Sequence, residues 1–359
     1  MKRFSSLGII LVTLVLITGV SFLLFYDFGK TNSRLIDEIL NYGHLPLFGV
    51  VALVILWILN KGSWPCTEKK QYITAAVITI LLAILTECIQ VFTPDRYLEL
   101  GDILNDTIGA VTFLTFVYSL QSNLSVSLKA RYMGASVLLM ALPTIPIFVA
   151  ALDTWNIERE FPLISSLETS IEMDRWSSKE SAMSRTRLYA TDGECSLKVN
   201  LYSVIYPGIS MDYLHNDWRG YGNLCFDVFL EVSTPLEITV RINDRKHNDE
   251  FTDRYNKGFR LHPGDNHISI RLGDVKNAPR GRMMDMGNIT NICIFSYNLK
   301  EPRSMYFDNF RLKNWALLIR CYCPNSHDYR QSRGITQEDF KKFYNQMRVI
   351  CIENHSIFQ

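Results

Sequence analysis

The chain has 359 residues, a hydrophobic share of 48% and a formal net charge of +1. So neutral a balance gives no footing for a nucleic acid or a strongly acidic partner, and the length exceeds what one domain of common size needs. The apolar excess is confined to the first 152 residues, so two kinds of surroundings are expected along one chain.

In chain order, Leu7–Tyr26 is 20 residues without charge, His44–Asn60 is 17, and Tyr72–Phe92 is 21 with Glu87 as its sole charge. Ile103–Leu120 follows with 18 residues and only Asp106, then Tyr132–Leu152 with 21 and none. A bilayer core takes about 20 residues of helix, so the pattern predicts an α-helical transmembrane bundle of five spans. Lys2 and Arg3 precede the first run, but it is longer than a signal-peptide core and no small-x-small cleavage site follows at 22–29, so it is expected to remain as a span. Pro143 and Pro146 are expected to kink the fifth.

The short loops set the expected orientation. Lys2, Arg3, Lys61, Lys69, Lys70, Lys129 and Arg131 fall on one side, seven in all, against Lys30, Arg34 and Arg96 on the other. Short-loop Lys and Arg stay cytoplasmic, which places the amino terminus inside and everything after Leu152 outside.

Between spans three and four the chain becomes polar. Glu87 and Gln90 are three apart near the end of span three, and Asp102, Asn105 and Gly109 recur at three and four on span four, so each set shares a helical face. The loop Thr93–Gly101 carries Arg96 and is short enough to turn the two faces toward each other, while His44 opens span two at the same end. Glu87 lies about 7 Å beneath the outer boundary and needs a partner there, Arg96 or His44. One polar pocket of His44, Glu87, Gln90, Arg96, Asp102 and Asn105 is therefore expected, serving either as an ion-pair lock or as a ligand or catalytic pocket.

From about Trp155 the pattern changes to alternation. Leu236, Ile238, Val240 and Ile242, then Leu224, Phe226, Val228 and Leu230, then Ile268, Ile270 and Leu272 each alternate with polar residues and predict half-buried strands. Further strands are expected at Arg187–Ala190, Ser196–Leu201, Gly258–Leu261, Ile289–Phe295 and Met305–Leu312. Turn chemistry stands between them at Asp192-Gly193, Pro207-Gly208 and Pro263-Gly264. About eight short strands predict an all-β jelly-roll sandwich over residues 170–312, after a linker at 154–169 and before a loosely packed tail at 313–359. The eight cysteines show no C-x-x-C pair and no zinc spacing, so neither metal nor cofactor is expected. Asp244, His247, Asp249 and Asp253 read as a solvated charged loop rather than a metal site.

The first part resembles a known family. Gly43-His44 with Phe48-Gly49, Thr86-Glu87 with Gln90, Pro94 with Arg96, and Asp102 with Asn105 and Gly109 are together similar to the VanZ-like pattern, over about residues 7–120. The resemblance implies a multi-pass protein of the bacterial cytoplasmic membrane, of a family named for a member that raises resistance to teicoplanin. It puts the VanZ-like domain at residues 1–153, with an added fifth span. The second part is similar to galactose-binding-like, carbohydrate-binding-module sandwiches at Tyr206-Pro207-Gly208, Asp217–Tyr221, Arg241–Asp244 and Phe307–Leu312. That resemblance implies glycan binding on aromatic platforms, with Trp218 and Tyr221 first and Trp176, Tyr213 and Tyr255 after them.

The expected partners are membrane lipid and a cell-wall or surface glycan or a glycopeptide, with no nucleic acid. Three function classes follow: an envelope protein that binds such ligands, an enzyme acting on a lipid-linked or glycan substrate through His44, Glu87 and Asp102, and a transporter subunit.

Overall fold

The computed structural model describes residues 31–61, 67–92, 100–121 and 123–314. The predicted first span, Arg96 and the tail beyond 314 lie outside these residues. The chain divides into two compact units.

The first unit is helical: α1 (Arg34–Tyr42), α2 (His44–Lys61), α3 (Glu68–Gln90), α4 (Leu100–Ser119), α5 (Val126–Ala141) and α6 (Ile145–Glu160), with a 3-10 turn at Leu142–Thr144 joining the last two. Among the described residues four helical stretches are long and apolar enough to cross a membrane: Arg34–Lys61, Glu68–Gln90, Leu100–Ser119 and Val126–Glu160. Ile73, Leu81 and Leu85 stand exposed along α3, an apolar outer surface that suits lipid rather than water. The stretch expected to stop at Leu152 continues to Glu160. Pro143 sits in the 3-10 turn that joins α5 and α6, and Pro146 in the first turn of α6.

Small residues let α2 and α4 meet backbone to backbone. A Cβ on Gly109 would stand 2.9 Å from the Leu45 carbonyl carbon, and one on Gly49 would stand 2.6 Å from the Phe113 ring. Below this contact Ala52, Leu56, Leu59, Ala75, Ala110 and Leu114 close one cluster shared by α2, α3 and α4. Such close approach is how helices associate where lipid removes the hydrophobic drive. The same unit includes Thr169–Ser177 and Met211–His215. Within it Arg175, fully buried, places Nε and Nη2 at 2.9 and 2.7 Å from Asp153 Oδ1, which ties the turn at Ile171–Arg175 to α6.

The second unit holds most of two antiparallel sheets in a sandwich-like pair, with Trp176, Ser177 and Met211 at strand ends counted in the first unit. Its strands are β1 (Leu163–Ser165), β2 (Trp176–Lys179), β3 (Ser181–Thr186), β4 (Ser196–Leu201), β5 (Gly208–Met211), β6 (Asn223–Leu230), β7 (Leu236–Asp244), β8 (Tyr255–Leu261), β9 (Gly264–Arg271), β10 (Ile289–Phe295) and β11 (Arg303–Lys313). One sheet runs β3-β4-β11-β6-β9 with β1 also on β11, and the other runs β2-β5-β10-β7-β8. The alternation on β7 becomes strict burial of Leu236, Ile238, Val240 and Ile242, with the intervening residues on the opposite face. Leu197, Val199, Phe226, Val228, Phe307 and Phe310 supply buried side chains from the first sheet.

Three expectations change. Residues 154–169 are helix to Glu160 and then β1, so a strand stands where a linker was expected. Arg187–Ala190 is not a strand: Tyr189 has φ 53, a left-handed turn that ends the ladder, and the strand lies earlier at Ser181–Thr186. β11 bulges between Asp308 and Arg311, where Asn309 takes φ 61. The buried Asp308 carboxylate accepts from the backbone N–H groups of Thr191 (2.6 Å), Asp192 (2.9 Å) and Asn309 (2.7 Å), which satisfies an acid that burial alone would exclude.

Candidate functional site

The helical unit brings its polar residues to one end. α3 buries Ala75, Thr79, Ala83 and Glu87 at intervals of four, then Gln90, so its inward stripe ends in two polar side chains. Phe48 of α2 packs on Ala83. His44 lies one turn from Phe48 and Glu87 one turn from Ala83, so the antiparallel pair carries both toward the same place. α4 contributes Asp106 and Gly109 from its buried face and Asp102 from its first turn.

His44 Nδ1 stands 3.1 Å from Asp106 Oδ1, and His44 Nε2 stands 4.0 Å from Asp102 Oδ2. Asp106 is fully buried, while His44 and Asp102 keep 17% and 16% of their side-chain surface exposed, so the cluster is closed at Asp106 and open at the other two. Glu87 is buried within electrostatic reach of both His44 and Asp106. Asp106 Oδ2 is buried without a hydrogen-bond partner among the described residues. With Nδ1–H donated to Asp106, the imidazole is held in one orientation and its Nε2 faces the open side.

Of the expected pocket residues, His44, Glu87 and Asp102 come together, Gln90 is buried on the inward stripe of α3, Asn105 is half-buried, and Arg96 lies outside the described residues. His44 hydrogen-bonds Asp106, a residue outside the expected set. Asp106 lies four residues from Asp102 and three from Gly109, hence on the same face, and it is the sole charge inside its apolar run, the signal that singled out Glu87 in the preceding one.

The expected glycan platform changes more. Trp218, Trp176 and Tyr255 are buried, between 1% and 4% exposed, and a ring enclosed by protein has no face to offer a sugar. Tyr213 is half-buried, and its hydroxyl donates to Asp37 Oδ2 at 2.9 Å; burial and that bond raise its pKa. Tyr221 is half-buried with its ring edge-on to Phe161, centroids 5.2 Å apart. The aromatic side chains that do reach the surface include Tyr206, Tyr297 and Phe251, none of them among the residues expected to form the platform.

The loop expected to be solvated is locked instead. Arg282 places Nη1 and Nη2 at 2.7 and 2.8 Å from the two oxygens of Asp244, and Nε and Nη2 at 2.5 and 2.8 Å from those of Asp253. Hydrogen bonds from Arg282 push the Asp253 carboxyl down to about 2. Arg282 lies 38 and 29 residues from its partners, so loop composition does not announce it. Among the described residues no group of three or more His, Cys, Asp or Glu is arranged to hold a metal ion.

Residues 3–121 match the family model described as VanZ/LLP1, which assigns a VanZ-like domain to that part of the chain. No curated protein matches the chain. Solved structures similar to it include a family 11 carbohydrate-binding module from Clostridium thermocellum in complex with a β-1,3-1,4-mixed-linked tetrasaccharide, at 16% identity, TM-score 0.34, and coverage of 42% of this chain and 95% of that one. A family 30 carbohydrate-binding module of a Clostridium thermocellum cellulosomal cellulase has 15% identity, TM-score 0.31, and coverage of 39% of this chain and 92% of that one. An exo-β-agarase has 13% identity and TM-score 0.32; 39% of this chain is covered but only 24% of that enzyme.

Proposed function

We propose that this chain is a bacterial cell-envelope membrane protein whose VanZ-like helices receive the polar head of a lipid-linked or glycopeptide-like ligand and whose sandwich binds an envelope glycan. The observation that carries the reading is Asp106: one carboxylate oxygen is taken by His44, and the other is buried without a partner among the described residues, at the end of three membrane-length helices. A buried carboxylate oxygen without a donor is costly, and a ligand hydroxyl or ammonium would satisfy it. On the basic-loop count the cluster and the sandwich share the extracytoplasmic side, so reporters fused after Asn123 should be cytoplasmic and those after Trp155 extracytoplasmic; a cytoplasmic reporter at the second point refutes this orientation.

The test is protection of a teicoplanin-sensitive bacterium. The wild-type chain is expected to raise the inhibitory concentration, and Asp106→Asn or Glu87→Gln at equal membrane level to abolish that rise. No protection by the wild-type chain removes the resistance role, and full protection by both variants removes the pocket. A second reading, an enzyme on a lipid-linked substrate, is favoured by the His44–Asp106 hydrogen bond, since an imidazole oriented by a carboxylate suits a general base. Lipid extracts separate the two: a precursor consumed only in cells carrying wild-type His44 supports the enzyme, and an unchanged lipid profile supports the binder.

A further inference from the structure

The face of the second sheet that points away from its buried side chains carries an unusual set of groups. Across β7 and β8, Arg241 lies opposite Asn256 and Thr239 opposite Gly258; across β7 and β10, Arg241 lies opposite Cys293 and Thr239 opposite Phe295. Directly opposed residues share a face, so these side chains form one surface. Arg254, two residues before Asn256, joins them. Both arginines lie on aromatic rings, Arg241 at 5.1 Å from the Phe295 centroid and Arg254 at 5.4 Å from that of Phe251.

What sets this surface apart is how little of its polarity is used. Among the described residues, Arg241 Nε, Arg254 Nε and both polar atoms of the Asn256 amide are buried without a hydrogen-bond partner, and neither arginine is in an ion pair. The charged form of Arg254 is disfavoured by burial and by the neighbouring Arg241, so two like charges are held together with no carboxylate between them. Asp249 acts on Arg254 only through space from a fully exposed position. Glu237 faces Arg260 toward the far end of the ladder. Beside Asn256, the space a side chain on Gly258 would fill is open. At one edge Tyr206 and Tyr297 are 51% and 65% exposed, with the Tyr206 ring 6.0 Å from Phe295 and 5.3 Å from Tyr297.

We propose that this face binds an acidic glycan, its carboxylate, phosphate or sulfate seated between Arg241 and Arg254, the Asn256 amide bonding a neighbouring sugar hydroxyl, and Tyr206 and Tyr297 carrying the sugar ring. Two guanidiniums side by side lack only an oxyanion, and planar guanidinium forks match oxyanion geometry. Exposed aromatic faces supply the apolar part of sugar recognition. The inference rests on the reading that the sandwich binds glycan, and it adds the residues and the charge of the ligand.

The experiment titrates the full chain in detergent micelles with polygalacturonate, with poly(glycerol phosphate) and with a neutral glucan. Binding to either acidic polymer is expected, weakening as salt rises, and falling about tenfold in Arg241→Met and in Arg254→Met, whose melting temperatures report that the fold is kept. Arg260→Met, on the same strand as Asn256 but opposite Glu237, should bind as the wild type does. The two acidic polymers distinguish carboxylate from phosphate as the group recognised. Binding of the neutral glucan alone, untouched by either arginine variant, overturns the inference while leaving glycan binding intact. Binding of none of the three overturns both.

Discussion

Replacing Gly109 by Ala tests whether the polar cluster is built by helix contact. The added Cβ would stand 2.9 Å from the Leu45 carbonyl carbon and 3.0 Å from its Cα, both backbone atoms that no rotamer change can move. Relief requires α2 and α4 to part by about half an ångström to an ångström, and overpacking of this kind costs about 1–3 kcal/mol. His44 adjoins Leu45 and Asp106 lies one turn before Gly109, so parting the helices stretches their 3.1 Å bond toward the limit of hydrogen bonding. Losing a bond to a charged group adds about 1.5–3 kcal/mol. Gly101→Ala and Gly134→Ala are the controls, since neither added Cβ meets an atom within 4 Å; Ala there should be neutral or stabilise by up to about 1 kcal/mol. Thermal unfolding in detergent, followed by tryptophan fluorescence, should place Gly109→Ala well below the wild type and both controls at or above it. Gly109→Ala melting with the controls would refute the close contact and the placement of His44 that depends on it.

Other outcomes follow from the sandwich. Arg282→Met leaves Asp244 buried and uncompensated, so unfolding of that unit should become easier by about 3–5 kcal/mol, read as a lower denaturant midpoint. Because the folded Asp253 carboxyl is held at about 2, below the value near 3.9 of an unfolded aspartate, its contribution is present above about pH 4 and is lost as pH falls toward 2. The midpoint should therefore fall over that range in the wild type, and less so in Arg282→Met; equal acid sensitivity would remove Arg282 as the cause. Trp218→Ala, which empties a buried ring site, should cost about 3–5 kcal/mol while leaving polymer binding at low temperature unchanged. Binding lost in a folded Trp218→Ala protein would return Trp218 to the ligand face.

Much of the local order was legible in the sequence, because hydropathy and alternation are properties of neighbouring residues. The apolar run at His44–Asn60 lies within a described helix, those at Tyr72–Phe92 and Ile103–Leu120 overrun theirs by two residues and one, and the alternating runs at Leu224, Leu236 and Ile268 each lie within a strand or end just past one. The polar end of α3 was equally visible, since Glu87 and Gln90 continue the four-residue stripe of Ala75, Thr79 and Ala83. β2 and β3 were not, because Trp176–Lys179 and Ser181–Thr186 carry too few apolar residues to mark a buried face.

Partners distant in the chain were decided only by the tertiary structure. His44 finds Asp106 across 62 residues, and Arg282 finds Asp244 across 38. Asp106 stands out as the sole charge of its apolar run, but nothing in the chain around His44 or Arg282 says which acid each will meet. Burial of Trp218 and exposure of Tyr206 and Tyr297 are likewise set by strand order, since an aromatic residue near a turn suits a core or a surface equally until the sheets are assembled. Spans and strands thus come from short-range periodicity, whereas which carboxylate meets the histidine and which sheet face gathers Arg241 and Arg254 come from packing that no short stretch of sequence contains.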